Sequence, residues 1–271
     1  MTNFKDFIKW LEPVTNNPVT LDKKKVQVFE FKHEESSEIL SAWATHFRNH
    51  YCLDSQIDVL RDGTGLGRKE YLINFKFPDE KEKPGPSIRS GDFTEILLAD
   101  YLEFVLNYTV PRFRYFDKGV RNESTKGVDV IGFKIFGKKD DVNDTLITLE
   151  SKAKFTGKCN GKLQEAIKHS AKDYQKRKAE SLNAIKQKML YFNMYEEIEK
   201  ISRFQNKTDN PYNEISGAVA CVDIASFNDE IITSSTTEEH PNNKNCILIV
   251  IKGRDMMNLV HQLYEIAANE A

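Results

Sequence analysis

The segment that most constrains the fold is residues 127–154, which read GVDVIGFKIFGKKDDVNDTLITLESKAK. Residues 128–136 are rich in valine, isoleucine and phenylalanine, and residues 145–150 read TLITLE, so both runs are typical of β-strands. The polar stretch GKKDDVND between them is typical of a chain reversal. The segment therefore predicts a β-hairpin, in which the register decides which side chains meet.

The numbering predicts that register. If the reversal is centred on Lys139 and Asp140, Asp129 lies directly opposite Glu150, with about 5 Å between their Cβ atoms. Side chains alternate along a strand, so Lys152 shares the face of Glu150 and the serine between them does not. Three ionisable groups are therefore predicted to converge at one end of a largely apolar hairpin.

This convergence predicts a metal site. Two neighbouring carboxylates repel each other, and burying them is costly unless a cation lies between them. Mg²⁺, with Mn²⁺ as a possible substitute, prefers oxygen ligands, so Asp129 and Glu150 are the predicted metal ligands. Lys152 can stabilise developing charge beside the metal. The alternative is a solvated hairpin end, since Glu-x-Lys arises often by chance when 30% of the residues are charged.

A helix upstream supplies a further carboxylate. Ser90 or Asp92 is predicted to cap this helix. Its apolar positions include Phe93, Ile96, Leu97, Tyr101, Phe104 and Val105. Glu95 lies at helical spacings from Leu98, Ala99 and Leu102. A carboxylate on an apolar face needs a partner, and either the metal or Lys152 would serve. The alternative is a hydrated glutamate that the helix dipole favours in the first turn.

These motifs, taken together, resemble the PD-(D/E)XK nuclease superfamily. The residues that fit its order are Arg89, Gly91, Glu95, Asp129, Glu150 and Lys152. Val128 stands where many superfamily members have proline, and Gln164 is followed four positions later by Lys168, so the Gln-x-x-x-Tyr element of RecB-type nucleases is not reproduced. The longer runs RSGDFTEILLADYLE, KGVDVIGFKI and LITLESKAKFTG resemble the HamA family, the nuclease component of the Hachiman anti-phage defence system.

The resemblance implies an α/β fold with a PD-(D/E)XK restriction-endonuclease-like core, a mixed central sheet flanked by helices. It also implies a metal-dependent, sequence-nonspecific DNA nuclease with Glu95, Asp129, Glu150 and Lys152 as catalytic residues. The implied partner is a superfamily 2 helicase (HamB-like) that holds the nuclease inactive until it engages aberrant DNA. The alternative is a catalytically idle nuclease-fold module that binds DNA or a partner protein.

The charge distribution indicates where DNA would lie. The net charge of −2 argues weakly against nucleic-acid binding, but residues 151–188 contain eleven basic and three acidic residues. The phosphate contacts predicted nearest the site are Lys154, Lys158 and Lys162. For most other lysines of this segment, a solvated helix face is the better interpretation. Residues 196–271 contain six basic and thirteen acidic residues and are the predicted partner surface.

The N-terminal part is predicted as an α+β subdomain with a linker, residues 1–84, followed by the nuclease core, residues 85–271. It contains a predicted strand at residues 26–31, a helix at 36–51, a glycine-rich loop at 63–69, a strand at 70–77 and a charged linker at 78–86. His46 and His50 have the i, i+4 spacing of metal ligands. No acidic or cysteine residue accompanies them at a suitable spacing, so we expect ordinary surface or core histidines.

After the hairpin, residues 163–192 predict one long helix or two in succession. Residues 216–224 and 246–251 predict buried strands, residues 228–245 a surface loop, and residues 255–268 an amphipathic helix.

Bulk properties indicate a cytoplasmic protein without a membrane span. No apolar run approaches the length of a transmembrane helix, and the first residues lack the apolar region of a signal peptide. The cysteines Cys52, Cys159, Cys221 and Cys246 are scattered without a C-x-x-C pattern. We therefore expect neither a zinc cluster nor a disulfide framework, in keeping with a reducing compartment.

Overall fold

A mixed β-sheet forms the centre of the protein. The computed structural model describes residues 3–15, 18–116, 118–137 and 141–271. The six strands are β1 (Leu11–Pro13), β2 (Val26–Phe31), β3 (Val130–Lys134), β4 (Thr145–Lys154), β5 (Asn213–Asp223) and β6 (Cys246–Gly253). They lie in the order β1-β2-β6-β5-β4-β3. The pairs from β2 to β4 are parallel, whereas β1 and β3 run antiparallel to their neighbours at the two edges.

Helices cover both faces of this sheet. The α-helices are α1 (Ser37–Asn49), α2 (Ile57–Arg61), α3 (Arg68–Tyr71), α4 (Gly85–Asp100), α5 (Lys162–Lys172), α6 (Lys178–Tyr191), α7 (Tyr195–Ser202), α8 (Glu230–Thr233) and α9 (Met256–Asn269). Single π-helical turns, Leu72–Lys76, Tyr101–Val105 and Asp173–Arg177, continue α3, α4 and α5. Short 3₁₀ turns lie at Asp6–Trp10, Ile224–Ser226 and Asn243–Asn245.

The alternation of side chains along the central strands divides the core. On β5, Val219 and Cys221 pack in one cluster with buried residues of α1, α4 and α9. Ala218 and Ala220 point the other way, into a cluster with α5 and α8. Because both faces are covered, the central strands are almost continuously apolar, as buried parallel strands must be. This confirms the predicted α/β class with a mixed sheet flanked by helices.

Several predicted elements are confirmed at nearly their predicted bounds. They are the strands at β2, β5 and β6, the helices α1 and α9, and the helical run from α5 through its π turn to α6. The predicted centre of the hairpin reversal, Lys139 and Asp140, lies outside the described residues. The strands β1 and β2 hydrogen-bond into the same sheet as the rest, and the division of the chain at residue 84 stays a prediction.

The predicted strand at residues 70–77 is wrong, because this segment is helical, from α3 into its π turn. Tyr71 and Leu72 are both buried while Ile73 and Phe75 are exposed, a pattern that does not alternate as in a half-buried strand. The predicted loop at residues 228–245 contains α8 and a 3₁₀ turn.

The predicted start of α4 is also wrong. The helix begins at Gly85, so Ser90 and Asp92 lie inside it and do not cap it. Pro86 in its first turn favours this early start, because proline has the helical φ angle and needs no hydrogen bond there. The charged stretch before it is packed, since Asp79 binds Asn122 and Arg121.

In the part of the chain that the structure describes, no helix is both long enough and apolar enough to cross a bilayer. The four cysteines are buried and unpaired with one another.

Candidate active site

The β3–β4 hairpin has the predicted register. Val130 pairs with Leu149 in the antiparallel ladder, and continuing this ladder by one step places Asp129 opposite Glu150. Asp129 lies just before β3, where its Oδ2 accepts hydrogen bonds from the Ser151 backbone N–H at 2.9 Å and from the Ser151 hydroxyl at 3.3 Å. The carboxylate is thereby tied to the neighbouring strand.

Lys152 meets Glu150 as predicted. The Lys152 Nζ donates a hydrogen bond of 2.5 Å to Glu150 Oε1, and only 2% of the Glu150 side chain is exposed. Burial lowers the pKa of Lys152, but the Glu150 carboxylate and this hydrogen bond outweigh it, so the pKa lies above its ordinary value. Lys152 is therefore a cation held at the carboxylate.

Helix α5 and its π turn bring three further ionisable residues to Glu150. His169 Nδ1 lies 3.2 Å from Glu150 Oε1, and Arg177 Nη1 lies 3.8 Å from Glu150 Oε2. Asp173, midway between them in sequence, is buried beside the same glutamate. Sequence reasoning missed these residues. The available signal was their i, i+4, i+8 spacing on the helix directly after Glu-x-Lys, which places them on one face.

This cluster contains buried carboxylate oxygens without partners. Glu150 Oε2 and both oxygens of Asp173 receive no hydrogen bond from any other group among the described residues, and the two side chains hydrogen-bond to each other only through a shared proton. Arg177 Nε lies 3.0 Å from Asp173 Oδ1 as an ion pair without an aligned hydrogen bond. Burial, followed by the repulsion of Glu150, raises the pKa of Asp173 to about 9. Two acidic groups crowded in a dry environment are stabilised by a proton or a cation, so the donor set fits Mg²⁺ or Mn²⁺.

A single arginine joins the remaining two carboxylates. Arg114 Nε donates to Glu95 Oε2 at 2.5 Å, and its Nη2 donates to Asp129 Oδ1 at 2.9 Å. Tyr115 also donates its hydroxyl to Glu95. Arg114 and Tyr115, and not Lys152, are therefore the side chains that partner Glu95. Arg114 lies outside every motif used above, so the sequence carried no signal for it.

Burial dominates the electrostatics of this pair. It raises the pKa of Glu95 to about 8 against the attraction of Arg114, with a smaller contribution from Asp129. Burial and then the Glu150 carboxylate raise the pKa of Asp129. Burial lowers the pKa of Arg114, but the two carboxylates outweigh it and hold the pKa well above its ordinary value. The guanidinium is therefore a fixed cation between groups that resist ionisation.

A cavity of about 280 Å³ opens beside these carboxylates. Glu95, Arg114 and Asp129 line it, together with His50 and Arg112. Glu150 and Lys152 do not line it. The site therefore has two adjoining parts joined by Asp129, the Glu150 cluster at α5 and the cavity beside α4.

The predicted DNA contacts follow the Glu150 cluster along the chain. Lys154 ends β4 on the face of Glu150 and Lys152 and is partly exposed, while Lys158 is exposed in the loop before α5. Lys162, at the start of α5, is ion-paired with Glu165 at 2.6 Å. Their binding to DNA stays a prediction.

Arg89 and Gly91, the other two motif residues, lie on α4 away from this cluster. Arg89 donates to the Pro78 carbonyl at 2.8 Å, contacts His261 and stacks over Tyr264. Gly91 has space around it for a side-chain methyl group. Arg89 thus packs α4 against α9, whereas the structure shows no steric requirement for glycine at position 91.

Comparison with known proteins gives one family. No curated protein matches the sequence. The HamA family model matches residues 5–267 of the 271 residues, a range that includes α4, the β3–β4 hairpin and α5. The chain thus belongs to the HamA family of Hachiman defence components.

Proposed function

We propose that this protein is a metal-dependent, sequence-nonspecific DNA nuclease that acts as an effector of anti-phage defence. The observation that carries the proposal is the convergence of Asp129, Glu150 and Lys152 at one end of the hairpin. The arrangement fits a PD-(D/E)XK nuclease core. The buried pair of Glu150 and Asp173 supports it, because two carboxyl groups in contact in a dry environment need a shared proton or a cation, and Mg²⁺ or Mn²⁺ would take the place of that proton.

Asp129 and Glu150 are the residues that would hold Mg²⁺ or Mn²⁺. The bound ion would supply Lewis acidity toward the phosphate and a lowered pKa for a bound water. Arg114 and the Ser151 backbone hold the Asp129 carboxylate in one orientation, so this carboxylate is already positioned before substrate binds.

Lys152 would act on the phosphate directly. Its ammonium group is charged and fixed beside Glu150, so it can donate to a phosphate oxygen as negative charge develops there. Glu95 is linked to Asp129 through Arg114. With a pKa of about 8, it can accept or release a proton near that pH. Asp173 adds a buried acid next to Glu150, where it can share a proton or a cation.

DNA would lie along the basic segment that follows Glu150. Lys154, Lys158 and Lys162 would contact the phosphate backbone, which carries no sequence information. Glu165 holds Lys162, so Lys154 and Lys158 are the stronger contacts of the three. This pattern supports broad degradation over sequence-specific cleavage.

A superfamily 2 helicase (HamB-like) would control the nuclease. Membership of the HamA family supports this part of the proposal. The exposed acidic side chains within residues 196–271 are the surface we propose for the partner, because DNA avoids negative charge, whereas β5 and β6 of this range are buried. Charge reversal on that surface should weaken the complex, and unchanged partner binding would contradict the assignment.

The test is cleavage of linear DNA by the purified chain, alone and with its helicase partner, in Mg²⁺ or Mn²⁺. We expect cleavage that EDTA abolishes and that is lost in Glu150→Gln and Lys152→Met. Glu35→Gln is the matched control, since Glu35 is exposed just before α1 and lies outside both the site and residues 196–271, and it should cleave normally. Cleavage that persists in Glu150→Gln would sink the assignment.

The alternative function is a catalytically idle nuclease-fold module that binds DNA or a partner. One observation favours it: Lys152 already pairs with Glu150, and Arg114 with Glu95 and Asp129, without a metal. Calorimetric titration with Mn²⁺ separates the two functions. Binding that Glu150→Gln abolishes supports the enzyme, whereas DNA binding without Mn²⁺ binding or cleavage supports the module.

A further inference from the structure

A second group of possible metal ligands lies between α1 and the end of α4. His46 lies in α1, and His50, the C-cap of that helix, follows one turn later. The last residue of α4, Asp100, meets them although it is 54 positions from His46. His46 Nε2 lies 2.9 Å from Asp100 Oδ1 and 3.4 Å from His50 Nε2. The three ligand atoms lie within 4.8 Å of one another, and within the described residues no other group of three such side chains is as compact.

The triad of His46, His50 and Asp100 lies in a dry environment. Asp100 is fully buried, His50 is 7% exposed, and the His46 side chain is 20% exposed. The rings of Phe4 and Phe7 lie against His46, with centroids 4.9 and 6.4 Å away. A polar group in such a place is expected to have every hydrogen bond satisfied.

The triad does not meet that expectation without a cation. Asp100 Oδ2 is buried and has no hydrogen-bond partner among the described residues. The two imidazoles face each other through Nε2, so at most one of these nitrogens can donate to the other.

Arg112 is a cation beside Asp100 that could neutralise this carboxylate in place of a metal. Its Nη2 lies 2.9 Å from Asp100 Oδ1, and it also binds Glu103. The arginine therefore neutralises one oxygen of Asp100 and leaves Oδ2 without a partner. Such an outer contact, which orients a ligating carboxylate, is common around protein metal sites.

We propose that His46, His50 and Asp100 bind one transition-metal cation, of which zinc is the best match. Two imidazole nitrogens and one carboxylate oxygen are a donor set that suits Zn²⁺ and not Mg²⁺, and a fourth position remains for water. His50 and Arg112 line the 280 Å³ cavity, which provides room for that water and a route of entry. The ion would tie α1 to α4, the helix that carries Glu95. The proposal does not depend on nuclease activity.

The experiment measures metal binding by the full purified chain. After dialysis against Zn²⁺ and then metal-free buffer, elemental analysis should find about one zinc per chain, and Zn²⁺ should raise the melting temperature. His46→Gln and Asp100→Asn should lower zinc affinity by at least about tenfold, the loss that even outer-contact substitutions cause. His33→Gln and Glu150→Gln are controls that should keep it, the first removing a histidine outside the triad and the second a ligand of the proposed nuclease site.

A spectroscopic arm uses the unaltered protein and so avoids variants that fail to fold. Co²⁺ in place of zinc should give visible absorption bands of a low-symmetry site with imidazole ligands. Folded protein that binds neither metal would overturn the proposal, as would equal zinc binding by His46→Gln and the unaltered chain. Zinc binding lost in Glu150→Gln but kept in His46→Gln would also overturn it, since the ion would then occupy the nuclease site.

Discussion

Replacing Arg114 with alanine should destabilise the protein strongly, because one buried guanidinium holds two carboxylates. The exposed fractions of the Arg114, Glu95 and Asp129 side chains are 16%, 13% and 11%. Arg114 also donates to the carbonyls of residues 125, 126 and 128. Removing one partner of a buried ion pair costs about 3–5 kcal/mol, because the remaining charge is left uncompensated. We expect a loss in this range, a large part of a typical domain's stability.

The assay is urea unfolding in EDTA at a pH above the Glu95 pKa of about 8, where this carboxylate is ionised, arranged as a double-mutant cycle with Glu95→Gln. The second substitution neutralises one of the two stranded carboxylates, so Arg114→Ala should cost less in that background. We expect a coupling free energy within the range of about 0.5–3 kcal/mol seen for contacting residues. Lys9→Ala is the control, since Lys9 is 77% exposed in its ion pair with Asp6 and should give no resolvable change.

Two results would refute this reasoning. A cost below about 1 kcal/mol for Arg114→Ala would mean that the carboxylates do not need the guanidinium. Additive effects of Arg114→Ala and Glu95→Gln would mean that the two side chains do not interact in solution.

Three further outcomes follow from the fold and the site. Gly217→Ala should lower the free energy of unfolding by about 1–3 kcal/mol, because the added Cβ would lie 2.2 Å from Leu149 Cδ2. Gly91→Ala should raise it by about 0.5–1 kcal/mol, because α4 has space for a methyl group at this position. Thermal melts measure both changes. Burial raises the pKa of Glu95 from 4.5 to about 8, so the folded state binds the extra proton and stability should fall as the pH rises across that window. Glu95→Gln should reduce this slope in urea titrations at several pH values without abolishing it, because burial also raises the pKa of Asp173, to about 9. An unchanged slope would contradict the prediction. Lys158→Ala should weaken DNA binding. If Lys158 contacts one phosphate, the slope of the logarithm of the DNA association constant against the logarithm of the salt concentration should become about 0.7–0.9 less steep. Fluorescence anisotropy at several salt concentrations measures this slope.

The hairpin was predictable because its information is local. The side chains of a strand alternate with a period of two, and a short reversal leaves few possible registers, so Asp129 could be placed opposite Glu150 from numbering alone. The same rule placed Lys152 on the face of Glu150. The strand predicted at residues 70–77 failed for the complementary reason, since a short apolar run has the same composition in a strand and in a buried helix.

The helical segments show an intermediate case. The periodicity over residues 163–192 predicted helices correctly, but it did not show which face would meet the sheet. His169, Asp173 and Arg177 lie on that face, beside Glu150. This placement follows only from the packing of α5 against β4. The i, i+4, i+8 spacing was present in the sequence, yet many lysines of the same segment share helical spacings without forming a site.

The sequence by itself determined the strand register, the apolar central strands and the common face of Glu150 and Lys152, because these depend on neighbours in the chain. The tertiary structure alone decided that Arg114 lies between Glu95 and Asp129, which precede and follow it by 19 and 15 positions. It also decided that Asp100 joins His46 and His50 across 54 positions. These contacts depend on how helices pack on the sheet, and packing is set by the shape and burial of the whole core, which no local period records.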